Sequence, residues 1–226
     1  IIDMQQFYDK GKSRSITYQQ MMDALLNDVR AGKNVVGAFY GHPGVFVTPS
    51  HKAIAIAKSE GYQAHMEPGV SAEDCLLADC GIDPGSRGCA NFEASQFVFY
   101  QRNIDTSGYL ILWQASVVGD RTLEKREVNS DYRQLLVDVL AEHYPLDHEV
   151  ILYEAPTLPI DTIRMDKILL KDFTRADLKG HTTLVIPPFT TMLRREHIFE
   201  RYEALENGSD STKLASKKQH LKVVKP

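Results

Sequence analysis

Short apolar runs alternate with helical windows over most of this chain, and that alternation admits few folds. Asn34 to Tyr40, Tyr62 to Met66, Tyr109 to Trp113, Glu149 to Tyr153, Ile163 to Leu170 and Thr182 to Ile186 read as strands. Between them lie windows with apolar residues three or four apart, the helical period. Met21, Leu25 and Val29 mark a helix from Ser15 or Thr17 to Arg30, with Gly32 as its stop signal. Thr48 as cap and Pro49 in the first turn open a second helix, which carries Ala53, Ile56 and Ala57 and stops at Gly61. Ser71-Ala-Glu-Asp74 has the form of a capping box ahead of Leu76, Leu77 and Cys80. Tyr132 to His143 sets Leu135, Leu136, Val139 and Leu140 on one face. Strands alternating with helices imply an α/β architecture with a largely parallel sheet.

A length of 226 residues, 43% of them apolar, suits one or two globular domains. A net charge of -4 argues against a basic nucleic-acid surface. No apolar run approaches the roughly 20 residues a membrane helix needs, so neither nucleic acid nor membrane is expected as a partner. Cys75, Cys80 and Cys89 are odd in number and lack Cys-x-x-Cys spacing, and no H-E-x-x-H occurs, so no metal is expected. They read as small buried thiols in a reducing compartment, the cytoplasm. Ile1 is neither an initiator Met nor the start of a signal peptide, which points to processing or to a sequence that begins inside a longer protein. Arg194 to Leu205 reads as a charged helix. From Asn207 the chain is Gly/Ser/Lys-rich, with Lys213, Lys217, Lys218, Lys222 and Lys225; this basic extension reads as a solvated tail, with an acidic partner segment as the alternative.

One turn stands out. A strand, then Gly41-His-Pro-Gly44-Val-Phe46, then a helix has the shape of a ligand loop at a sheet switch point. Glycines let a ligand approach the backbone, and Pro43 stiffens the turn. It is neither G-x-G-x-x-G nor a Walker loop, so spacing alone leaves a tight connection as an equal alternative.

The order of motifs adds more. Tyr40-Gly-His-Pro-Gly-Val-Phe46, Glu67-Pro-Gly-Val-Ser-Ala-Glu-Asp-Cys75, Phe92-Glu-Ala-Ser95, Leu112-Trp-Gln114, Tyr153-Glu-Ala-Pro156 and Thr182-Thr-Leu-Val-Ile-Pro-Pro188 follow one another. Together they resemble the tetrapyrrole (corrin/porphyrin) methylase superfamily, in particular its peptide-modifying branch, the borosin backbone α-N-methyltransferases. The resemblance covers about residues 2 to 190. It implies a dimeric α/β enzyme of two lobes that holds S-adenosylmethionine in the cleft between them and releases S-adenosylhomocysteine. The lobes would be residues 1–115 and 116–190, followed by the charged helix and basic tail of 191–226. Cofactor contacts would fall on Tyr40, His42, Val45, Phe46, Ser71, Ala72, Gln114, Ala155, Thr182 and Thr183. Each has a local alternative: Ser71 as a helix cap, Val45 and Phe46 as core, Gln114 at a strand end, Thr182 and Thr183 as strand residues. Small residues and backbone groups suit a site that needs no acid-base chemistry on the cofactor itself.

Near the start, Tyr8, Arg14 and Tyr18 stand in a Tyr-x5-Arg-x3-Tyr spacing that resembles the borosin catalytic segment. Arg14 and Tyr18 would share a helix face. A peptide nitrogen is a poor nucleophile because its lone pair is delocalised into the carbonyl. Methylating it requires loss of the N–H proton and stabilisation of charge on the oxygen. An oxyanion stabiliser is worth about 3–4 kcal/mol, and Arg14 is the natural one. The same cation would lower a tyrosine pKa, so that Tyr8 or Tyr18 could take the proton, while Tyr40 orients the amide or the methyl donor.

Two features depart from the family pattern. The chain ends Leu221-Lys-Val-Val-Lys-Pro226 with no Val/Ile/Gly-rich core peptide. That points to a split arrangement, with the precursor peptide as a separate chain bound by a homodimer or in a heterotetramer; the alternative is a core beyond residue 226. The family's opening strand-helix-strand also has no counterpart before Ile1, so the first lobe is expected to be incomplete as given. The competing functions are a methylase for a tetrapyrrole or other small metabolite, and a non-catalytic peptide-binding module.

Overall fold

In the computed structural model, which describes residues 1–9, 11–120, 130–156, 158 and 160–207, four helices begin where a polar side chain caps them. α1 (Arg14–Arg30) starts after Ser13, whose hydroxyl accepts from the Ser15 N–H. α2 (Thr48–Ser59) has Pro49 in its first turn as expected, but the cap position is Val47 and no side chain caps it, one residue before the expected Thr48. α3 (Ala72–Cys80) carries the full capping box between Ser71 and Asp74. α4 (Pro84–Arg87) is a single turn. It leads into β1 (Cys89–Glu93), a strand the sequence reading missed. Glu93 then caps α5 (Ala94–Phe99) by accepting from the N–H groups of Ser95 and Gln96. β2 (Tyr109–Trp113), α6 (Ser130–Ala141), β3 (Glu149–Glu154), β4 (Arg164–Leu169) and β5 (Thr183–Ile186) follow, each within two residues of its expected start.

The five strands form one sheet in the order β1-β2-β5-β3-β4. Only β1 and β2 are parallel; β2–β5, β5–β3 and β3–β4 are antiparallel, which corrects the expectation of a largely parallel sheet. The reason is the connections. A helical crossover keeps direction, as α5 does between β1 and β2, whereas β3 turns directly into β4 and so reverses. β5 then enters antiparallel between β2 and β3.

Two expected strands are absent. Residues 34–40 and 62–66 join no ladder among the described residues. Val36 is 90% exposed, so its apolar run buries nothing on a neighbour. A strand is defined by its partner, and no periodicity supplies one.

The sheet has two unequal faces. Leu110, Leu112, Val150, Leu152, Leu184 and Ile186 join Phe97, Leu136, Val137, Leu140 and Phe173 in the larger core, under α5, α6 and the 3-10 segment Leu170–Arg175. Ile111, Trp113, Tyr153 and Val185 face the other way, onto Leu76 and Ile82 of the α3 region. On α6, Leu135 is exposed and Arg133 is buried, contrary to the expected face. The Arg133 guanidinium donates to the Ala176 carbonyl at 2.9 Å, so the long side chain is held inward by a polar partner that no periodicity reveals. α1 packs on α2, with Met22, Leu26, Ala53 and Ala57 buried. The three cysteines are free and partly buried.

The chain divides into two compact units, Ile1–Phe189 and Thr190–Pro226. In the second, α7 (Glu196–Glu206) matches the expected charged helix, and Arg194 lies 4.2 Å over the Phe199 ring. The basic extension read at Lys213 to Lys225 lies outside the described residues. Among the described residues no helix is long and apolar enough to cross a membrane.

Candidate functional site

The start of α1 sets one wall. Arg14 and Tyr18 lie one turn apart and are half-buried. Tyr8 follows the 3-10 turn Met4–Phe7, whose last carbonyl is tied to α1: the Phe7 oxygen accepts from Thr17 Oγ1 at 3.2 Å and from Lys12 Nζ at 2.7 Å. Held there, Tyr8 is in electrostatic contact with Tyr18, Arg14 and Tyr40. Of the four side chains singled out from sequence, Arg14 and Tyr18 line one cavity, while Tyr8 is about half exposed and Tyr40 is 95% exposed. The electrostatics differ from the expectation in one respect. Burial, and then Tyr18, push the Tyr8 phenol above its ordinary value; Arg14 pulls it down but is outweighed.

The glycine turn sets the second wall. Gly41 has φ +71°, a left-handed conformation. Its carbonyl runs so close to Gly69 that a Cβ there would meet the Gly41 oxygen at 2.8 Å. Two motifs distant in sequence therefore touch backbone to backbone. His42 Nδ1 accepts from the Gly44 N–H at 2.9 Å, and Val45, half-buried, donates its N–H to the His42 carbonyl. The first turn of α2 reaches back: Ser50 Oγ donates to the Pro43 carbonyl and, at 2.9 Å, to that of Val47, and His51 Nε2 donates to the Gly44 carbonyl at 2.7 Å. The turn ends on Phe46, at φ +55°, with its ring 5.8 Å from that of Trp113. Gln114, just past β2, has φ +57°. These are the two non-glycine residues with positive φ among the described residues, and both line one cavity. It measures about 370 Å³ and is bounded by Arg14, Tyr18, Gly44, Phe46, Val47, Thr48, His51 and Gln114.

The remaining expected contacts lie nearby or elsewhere. Ser71 is buried at the cap of α3, and its N–H and hydroxyl donate to Asp74 Oδ2 at 2.6 and 2.8 Å. Those bonds hold the Asp74 carboxyl below its usual range, with His42 adding a smaller pull. Ala72 is exposed beside it. Ala155 packs on the apolar cluster that contains Trp113, and Thr183 pairs with Tyr153 across the sheet. Thr182 is fully buried. Its hydroxyl donates to Glu154 Oε1 at 2.7 Å and accepts from the Lys179 N–H at 2.8 Å, so that side chain is committed to the fold. Glu154 also takes Arg164 at 2.6 Å and Lys179 at 2.8 Å. Burial raises its pKa, but the hydrogen bonds from Lys179, Thr182 and Arg164 outweigh burial and hold it near 2.

Sequence reasoning passed over Thr48 and His51, which line the cavity. His51 carried a signal: a polar side chain in the first turn after a glycine loop points back at that loop.

The chain matches the family described as Tetrapyrrole (Corrin/Porphyrin) Methylases over residues 3–168. It is 46% identical over 191 residues to a "methyltransferase/ribosomally synthesized cyclic peptide gymnopeptides precursor" of Gymnopus fusipes, a match covering 83% of this chain and 46% of that protein. With the corresponding omphalotin A precursor of Omphalotus olearius it shares 42% identity over 218 residues, 95% of this chain and 52% of the relative. A type I borosin cyclic peptide precursor of Coprinopsis marcescibilis is 46% identical over 171 residues, 75% of this chain and 44% of that protein. The chain thus spans about half the length of the curated relatives it matches. Among solved structures it is similar to the uroporphyrin-III C-methyltransferase of Thermus thermophilus complexed with S-adenosylhomocysteine, with a TM-score of 0.53 over 75% of this chain and 72% of that one. The methyltransferase CobJ gives a TM-score of 0.52 over 77% and 74%. At 16% identity both speak to the fold alone.

Proposed function

The chain belongs to the tetrapyrrole (corrin/porphyrin) methylase family, on the branch of its borosin-type methyltransferases, and from that premise we propose that it methylates backbone amide nitrogens of a peptide, with S-adenosylmethionine as donor. The observation that carries the reading is the meeting of Arg14 and Tyr18 with Phe46 and Gln114 in one cavity, with Tyr8 and Tyr40 in electrostatic contact beside them.

The residues present fit the donor. About 370 Å³ lies within the usual range of small-molecule sites. Two side-chain-bearing residues are held at positive φ on the cavity wall, a conformation that persists only where surroundings enforce it. Phe46, Gln114, His42 and Ser71 are the residues proposed to hold the donor. When bound, it supplies an electrophilic methyl group on a sulfonium.

The chain's own residues do the rest. Arg14 places a fixed cation beside the amide oxygen, where charge builds as the nitrogen loses its proton. Tyr8 or Tyr18, ionised to the phenolate, takes that proton and becomes the neutral phenol, which returns the proton to solvent after transfer. Tyr40, standing almost fully in solvent, closes over the peptide. The walls align nitrogen with methyl, which converts an encounter into a positioned reaction.

The substrate is proposed to be a precursor peptide, on a separate chain or joined to the enzyme, and the enzyme a cytoplasmic homodimer with lobes meeting near residue 115. The relatives' names join methyltransferase and precursor in one protein, so the arrangement needs its own test. Purified protein is incubated with S-adenosylmethionine and a hydrophobic precursor peptide, and backbone methyls are read by tandem mass spectrometry. Stepwise methyls on backbone nitrogens of the added chain are the expected result. Methyls within the enzyme chain would replace the split arrangement with a fused one, and methylation of a tetrapyrrole with none on peptide would overturn the reading.

A further inference from the structure

We propose that Asn91 is a positioning residue: it fixes the Trp113 indole and, through it, the Phe46 and Gln114 wall of the cavity. The inference rests on the reading that this cavity takes the methyl donor.

The geometry is a polar relay beneath the cavity. Trp113 Nε1 donates to Asn91 Oδ1 at 3.0 Å. Asn91 Nδ2 donates to Glu73 Oε1 at 2.7 Å and lies 4.0 Å from Cys89 Sγ. Glu73 sits in the first turn of α3, two residues after Ser71. Trp113 is buried and closes β2, so its orientation sets where the chain turns into Gln114. Its ring is also the surface against which Phe46 leans, at 5.8 Å.

The chemistry of the three groups leaves one solution. An indole N–H only donates, and an ionised carboxylate only accepts. The group between them must accept on one side and donate on the other. A side-chain amide does both, and with these neighbours it has a single orientation. Asn91 is half-buried on β1, next to β2 in the parallel pair, so it reaches both partners without leaving its strand. The relay thereby couples the α3 start, β1 and the end of β2.

The test uses charge and hydrogen-bond logic. Asn91→Asp sets two acceptors against each other, carboxylate against carboxylate. Glu73→Gln alone keeps a working relay, because the new amide can turn its oxygen toward Asn91. The double substitution Asn91→Asp with Glu73→Gln restores a donor opposite each acceptor. Trp113 is the only tryptophan in the chain, so its fluorescence reads the relay directly.

For Asn91→Asp, the Trp113 emission should move to the red and acrylamide quenching should increase. Affinity for S-adenosylhomocysteine, by calorimetry, should fall about tenfold. Glu73→Gln should stay within about threefold of the parent, and the double variant should recover most of the loss, which a merely structural defect at Asn91 would not allow. Unchanged emission and affinity in Asn91→Asp, or a double variant no better than the single one, would overturn the proposal. A parent that binds no S-adenosylhomocysteine would sink the donor reading instead; the emission and quenching series then decides the role of Asn91 without it.

Discussion

The Phe46 ring lies 5.8 Å from the Trp113 ring at an interplanar angle of 54°, while the Phe46 backbone holds φ +55°. One residue thus gives up backbone ease for a ring contact on the cavity wall. Positive φ at a non-glycine residue costs about 1–3 kcal/mol, and an aromatic pair contributes about 0.5–1.5 kcal/mol beyond area burial. The two nearly offset, which makes the position diagnostic.

Replacement at Phe46 should therefore separate the two effects. Phe46→Ala keeps the backbone strain and loses the ring. Phe46→Gly loses the ring and the strain. Urea unfolding should rank the parent and Phe46→Gly within about 1 kcal/mol of each other, with Phe46→Ala lower than both. An alanine variant as stable as the parent would mean that the ring contact contributes nothing.

Gly69 and Gly61 form a second pair. A Cβ at Gly69 would meet the Gly41 carbonyl at 2.8 Å, whereas one at Gly61 meets nothing within 4 Å. Gly61→Ala thus suffers only from φ +88°, and the loop keeps its place. Gly69→Ala must push the Gly41 turn away, at a cost of about 1–3 kcal/mol. Donor binding should weaken in Gly69→Ala and hold in Gly61→Ala; equal binding in both would show that the contact between the loops does not shape the cavity.

Acid should expose the Glu154 network. Its pKa is held near 2 in the folded protein against 4.5 when free, so the folded state favours the charged form. The associated stability is complete above pH 4.5 and is lost as the pH falls toward 2. For a residue this buried the difference is roughly 3 kcal/mol. Glu154→Gln should flatten the acid limb of stability against pH in chemical unfolding, and a variant with an unchanged acid limb would place the titration elsewhere. Thr182→Val removes one hydrogen-bond donor to Glu154 and the acceptor of the Lys179 N–H, and should cost about 1–3 kcal/mol.

Arg14 and the tyrosines carry the chemistry proposed above. Arg14→Ala should slow methyl transfer by about 10²- to 10³-fold with a much smaller effect on donor affinity. Arg14→Lys should recover part of the rate through charge alone. Because Tyr8 titrates above the ordinary tyrosine value, transfer should keep rising with pH above neutrality. Single-turnover mass spectrometry across pH reads all three; a flat profile in the parent would remove tyrosine from the proton path.

Where residues interact with close neighbours in sequence, the reading from sequence held. The capping box of Ser71 and Asp74 needs four residues, and it is present. Tyr109 to Trp113 is a strand because an unbroken apolar run must be buried on both faces. Arg14 and Tyr18 share a face because the helical period demands it. The ordered motifs likewise gave the family, and with it a list of site residues, four of which line the cavity.

Where partners come from far along the chain, the same reading stopped. Residues 34–40 have strand composition but no ladder among the described residues, and Cys89 to Glu93 forms a strand despite polar Asn91 and Glu93. The antiparallel entry of β5 between β2 and β3 follows from a turn, not from any strand's composition. Thr182 faces Glu154, and Tyr8 sits above its ordinary pKa rather than below it, because burial and distant neighbours outweigh the nearest cation. Helix positions, the Ser71–Asp74 capping box and the family were written in local patterns, which cost nothing to satisfy one at a time. Strand order, the direction of each side chain and the sign of each pKa shift came from packing, where every group must share space and partners with groups that the linear pattern never places beside it.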